Sequence, residues 1–123
     1  MLNFFGCGGE VMNYSVLDTA NELMLDEEIL EEIFTSFFDE VNQILDHNQR
    51  KLEIGEPIDW KRILHSLKGL ASNLHMYELV NLILHLEKED ISTMQDEFLL
   101  RIKCLKQSIN HLKQIIDTHY KKD

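Results

Sequence analysis

Trp60-Lys61-Arg62-Ile63-Leu64-His65-Ser66-Leu67-Lys68-Gly69-Leu70-Ala71-Ser72-Asn73-Leu74 is the stretch on which the reading of this chain turns. Its apolar members, Trp60, Ile63, Leu64, Leu67, Leu70, Ala71 and Leu74, recur at three- and four-residue steps, the spacing of one helix face and not the alternation of a strand. At about 100° per residue those side chains average near one direction, and His65 lies roughly 160° away from it. The histidine is therefore expected to face water. Lys68 at i+3, Gly69 at i+4 and Ser72 at i+7 share its strip of surface.

The flanking sequence repeats the pattern. Upstream, Ile29, Leu30, Ile33, Phe34, Phe37, Phe38, Val41, Ile44 and Leu45 mark an apolar stripe on a long helix from about Asp26, with Glu27, Glu28, Glu31, Glu32, Asp39 and Glu40 on its wet face. That helix is expected to end near Gly55, a residue that tolerates the left-handed closing turn, and Pro57 suits the first turn of the next. Downstream, Leu79, Leu82, Ile83 and Leu86 give a third stripe, edged by Val80 and Leu84 and closed by the polar break from Asp90 to Ser92. Ser92 and Gln95 are spaced as a capping box for a last helix, about Met94 to His119, carrying Phe98, Ile102, Leu105, Ile109, Leu112 and Ile116. Ser15 or Asp18 opens a short first helix ending at Leu23. The fold class expected is all-α: an antiparallel up-and-down four-helix bundle with a short extra N-terminal helix. Residues 1–14, with glycines at 6, 8 and 9, are expected to be a flexible arm, and residues 15–123 a single bundle domain.

Composition narrows the function. The 123 residues suffice for one core and one site. A formal net charge of -10 argues against nucleic acid and anionic membrane as partners. No run approaches the roughly 18 apolar residues that cross a bilayer, and no basic residue precedes the short apolar start. Phe4-Phe5-Gly6-Cys7 is too short for a lipoprotein leader. Two distant cysteines, Cys7 and Cys104, suggest reduced thiols, with Cys104 a small buried apolar residue, and a cytoplasmic location.

The strip around His65 suits phosphoryl transfer, in which positioning and charge neutralisation dominate. A neutral imidazole is available near pH 7, since its reference pKa is about 6.5, and its exposed nitrogen can attack an acyl phosphate in line. Lys68 can balance the phosphoryl charge. A helix-interior glycine costs about 0.5–1 kcal/mol against alanine, so Gly69 on the outer face is better explained by access than by stability. Alone, a surface histidine with a lysine three residues on is commonplace. The other sites weighed are weaker. His47, His85, His111 and His119 include no i, i+4 pair, and neither Glu78 nor Glu87 has a histidine three residues on, so no metal site is expected. Gly6-Cys7-Gly8-Gly9 follows no strand and is no nucleotide loop. The phenylalanines Phe34, Phe37, Phe38 and Phe98 fall on core stripes.

His65-x-x-Lys68-Gly69, followed by Ala71, Asn73-Leu74, Leu79 and Leu86-Glu87, resembles the signature of histidine phosphotransfer (HPt) domains, over about residues 26 to 120. The resemblance implies a four-helix bundle whose exposed histidine, here His65, accepts and donates phosphate. It further implies that Lys68 assists near the phosphate and that Gly69 opens the approach. The expected partners are response-regulator receiver domains and a sensor or hybrid histidine kinase, docking over Lys61, Arg62 and Ser72. The chain would have no cofactor of its own, Mg²⁺ being the receiver's, and would be a phosphocarrier and not a stand-alone enzyme. The alternative is a non-catalytic helical adaptor. Two positions depart from the pattern: His75 stands where the family usually has glycine, and Leu70 where it usually has a small residue.

Overall fold

The computed structural model describes residues 12–89 and 95–121, which form five helices: α1 (Val16–Leu23), α2 (Glu27–Glu53), α3 (Trp60–Asn73), α4 (Tyr77–Lys88) and α5 (Gln95–Tyr120). The four longer helices make the bundle, α3 packing chiefly on α4 and α2 on α5, with α2 also touching α3 and α1. Ion pairs set the α2–α5 direction. His119 near the end of α5 meets Glu27 at the start of α2, whereas Lys106 meets Asp46 in the second half of α2, so the two run antiparallel. The core is a column of side chains contributed by every helix, including Leu30, Phe34, Leu45, Leu67, Ile83 and Leu105.

Local chemistry explains where each helix stops. Ser15 caps α1 by accepting from the Asp18 N–H, and Asp59 caps α3 by accepting from the Arg62 N–H. Glu27 and Glu28 in the first turn of α2, and Arg50 and Lys51 in its last, both complement the helix dipole. Three helices end in one motif. After α2, Gly55 at φ +80° lets the Gly55 N–H reach the Leu52 carbonyl and the Glu56 N–H the Lys51 carbonyl. Met24 closes α1 and His75 closes α3 in the same way, each at positive φ without being glycine.

His75 occupies this left-handed position at φ +56°, which explains why glycine is usual there. Its ring gains contacts that glycine lacks: Nδ1 lies 2.6 Å from Oε1 of Glu22 on α1, and the imidazole stacks on Tyr77. Beside it, the Tyr14 hydroxyl donates to the Leu74 carbonyl at 2.7 Å, and burial pushes that hydroxyl's pKa up to about 12. Alanine at position 75 would keep the backbone strain and lose the ring contacts, whereas glycine loses only the contacts. His75→Gly should therefore be more stable than His75→Ala by about 1 kcal/mol in urea unfolding. Equal stability of the two variants would contradict this account of the turn.

Several expectations need correction. Ile29 and Ile33, expected on the buried stripe, stand exposed, because the packed face of α2 centres on Leu30, Phe34, Phe37 and Val41, about 100° round the helix. Pro57 does not start α3; it lies in the connection, and Asp59 provides the cap two residues later. Cys104 is buried as expected but is disulfide-bonded and not a free thiol, since distance along the chain says nothing about distance in space. The other half of that bond lies outside the described residues. So do the Ser92–Gln95 capping box and most of the arm expected over 1–14, although Met12, within it, is buried in the core.

Candidate functional site

The α3 helix positions the candidate residues by burying its opposite face. Ile63, Leu64, Leu67 and Ala71 are sunk in the core, which turns His65, Ser66, Gly69 and Ser72 outward. His65 is exposed, and its ring makes no hydrogen bond among the described residues. Lys61 and Arg62, about one turn before it, are exposed as well. Within its 14 residues α3 carries three cations, Lys61, Arg62 and Lys68, and no carboxylate. In a chain of net charge -10 this helix has a formal charge of the opposite sign, two of its cations, Lys61 and Arg62, standing in solvent.

Gly69 lies where the reading of the sequence put it. A Cβ built there would meet nothing within 4 Å, so the space over this turn of α3 is open. Nothing inside the described protein requires glycine at that point.

Lys68 is not a free cation. Its Nζ donates to both carboxylate oxygens of Glu87 on α4, at 3.1 and 3.2 Å, and both side chains are roughly three-quarters buried, at 29% and 26% exposure. The α3–α4 turn at His75 sets the level of this pair. Lys68 lies seven residues before the turn and Glu87 twelve after it, so at about 1.5 Å per residue their backbones differ in level by about 7.5 Å, a gap that the two side chains close between them. Side chains tilt toward the N-terminus of their own helix, which is the direction required of both partners, so the lysine leans back along α3 on the His65 side. The sequence reading missed this partnership. Leu86-Glu87 stands in the sequence only as part of a family pattern, and a pairing across 19 residues emerges only once the antiparallel hairpin and its turn are fixed.

Leu70, the second departure from the family pattern, is half-buried against the core, in keeping with an effect on packing. An exposed imidazole, a lysine one turn along the same helix and an unobstructed turn together can offer a nitrogen lone pair to an electrophilic phosphorus and neutralise part of its charge.

A helical bundle displaying such a histidine defines a class of phosphate-carrying proteins. The chain belongs to the Hpt domain family: the family model for the Hpt domain matches residues 32–116, from the first half of α2 to near the end of α5. Hpt domains are phosphocarriers of two-component signalling that work with receiver domains and histidine kinases. No curated protein and no solved structure matches the chain.

Proposed function

We propose that this protein relays a phosphoryl group between receiver-domain aspartates through His65. In the accepting step the His65 ring nitrogen attacks the phosphorus of an aspartyl phosphate, the P–O bond breaks, and the aspartate carboxylate leaves with the electron pair. Donation is the reverse. Both phosphohistidine and acyl phosphate are high-energy species, so the reaction runs in either direction according to the supply of partners. Lys68 balances charge on the phosphoryl oxygens, Gly69 admits the receiver, and Lys61, Arg62 and Ser72 form the docking surface, which complements an acidic receiver pocket. That pocket supplies the Mg²⁺, and this chain needs no cofactor of its own. No described helix is long and apolar enough to cross a membrane. A cytoplasmic location follows from the proposed partners and not from cysteine chemistry.

The single observation that carries this reading is the exposure of His65 beside an open turn at Gly69, on the face of α3 opposite the core. The test is to incubate the protein with a panel of phosphorylated receiver domains and follow the label on each partner over time. Acid-labile, base-stable label on this chain supports the relay. Absence of transfer from every receiver, including those of the host cell, contradicts it.

Gly69 yields a prediction in which stability and activity move in opposite directions. Because an added methyl meets no neighbour, Gly69→Ala should stabilise the fold by about 0.5–1 kcal/mol through helix propensity. A bulkier Gly69→Gln should slow phosphotransfer on the order of a hundredfold by holding the receiver off the imidazole. Undiminished transfer by the glutamine variant would remove access as the explanation for this glycine.

A further inference from the structure

Lys68, the cation assigned to the phosphoryl group, is already engaged by a carboxylate. Both oxygens of Glu87 hold its ammonium in the unphosphorylated protein, and no other ion pair of Lys68 occurs among the described residues. A phosphoryl group on His65 brings up to two negative charges to the same strip of α3. Two arrangements then remain. Lys68 leaves Glu87 for the phosphoryl oxygens, or it stays and shares its charge between phosphate and carboxylate. In the first case an ion pair is lost, and in the second two anions face each other across one cation. Either way Glu87 disfavours the phosphorylated state.

We infer that Glu87 is a positioning residue with a second effect: its charge, acting through Lys68, lowers the affinity of His65 for the phosphoryl group and so poises the protein to give phosphate away. This deepens the relay reading and rests on it for its biological meaning. The chemistry it concerns, however, is the equilibrium of the P–N bond at His65, which can be read without any receiver. The carboxylate touches neither imidazole nor phosphorus; it acts on the lysine.

The experiment uses the full chain in a mixture of N-phosphoimidazole and imidazole at a fixed ratio. The P–N bond of phosphoimidazole breaks as that of phosphohistidine forms, free imidazole leaves, and no proton or electron is left over. The plateau of phosphate on His65 is followed by ³¹P NMR for wild type, Glu87→Gln, Lys68→Gln and the double variant. His65→Gln gives the background from other histidines, and circular dichroism checks the fold. Glu87→Gln keeps the size of the side chain and removes its charge, so it should raise the ratio of phosphorylated to free His65 about fivefold, the upper range for a partly exposed ion pair. Lys68→Gln should lower that ratio, and the double variant should match Lys68→Gln alone. An unchanged or lowered plateau for Glu87→Gln overturns the inference, as does an equal rise in the double variant, which would show that Glu87 acts without Lys68. Failure of the relay reading has a different sign: normal plateaus here with no transfer from any receiver.

Discussion

Replacing His65 by glutamine should abolish phosphotransfer, with a loss of at least about a thousandfold, or more than about 4 kcal/mol of barrier, while leaving the fold intact. Glutamine fills a similar volume but has no nucleophilic ring nitrogen, and phosphoryl transfer through a covalent intermediate has no route without one. The fold should tolerate the change because His65 is exposed and its ring has no hydrogen-bond partner among the described residues. Unfolding free energy should move by no more than about 0.5 kcal/mol. The measurement is a time course of label transfer from a phosphorylated receiver, alongside urea unfolding of both proteins. Residual transfer within tenfold of wild type would assign the chemistry to another residue. An adaptor, by contrast, would keep both its partner and its output after the same substitution.

The second large effect belongs to the core. Phe34→Ala should cost about 3–5 kcal/mol of stability, a large share of the 5–15 kcal/mol typical of a domain. Phe34 is 2% exposed and sits between two tyrosine rings, Tyr14 at 5.8 Å and Tyr120 at 6.3 Å, each edge-on. Both tyrosines spend their hydroxyls on carbonyls, Tyr14 on Leu74 and Tyr120 on Glu27, so neither ring is free to collapse into the space left behind. The substitution therefore leaves a cavity where the segment before α1, the start of α2 and the end of α5 meet. Urea unfolding followed by circular dichroism reads the loss. A cost under about 1 kcal/mol would mean that this end of the bundle repacks freely.

The features legible in the sequence are those governed by local periodicity. The stripe through Ile63, Leu64, Leu67 and Ala71 placed α3, and by subtraction it placed His65 in water. Gly55 announced the end of α2 because its φ of +80° is a conformation that few other residues adopt. His75 was visible as a departure from the family pattern, but not as a left-handed residue tied to Glu22, because that contact spans 53 residues. Glu87 was equally hidden behind its 19-residue separation from Lys68. Ile29 and Ile33 misled for a different reason: periodicity gives the direction of an apolar face but not its width, and an apolar residue at the edge can remain in solvent. Local rules thus recovered the scaffold and the outward histidine. The partnerships that tune the histidine's surroundings are long-range and needed the packed hairpin of α3 and α4.

The central claim is that His65 carries the phosphoryl group, and locating the phosphate tests it most directly. The wild-type protein, labelled by a phosphorylated receiver domain, is to be digested under alkaline conditions and its peptides fragmented by electron transfer, which preserves the P–N bond. The account predicts phosphate on His65 within the segment 60–74 and on no other histidine. Phosphate on His47, His75, His85, His111 or His119, with His65 unmodified, would contradict it.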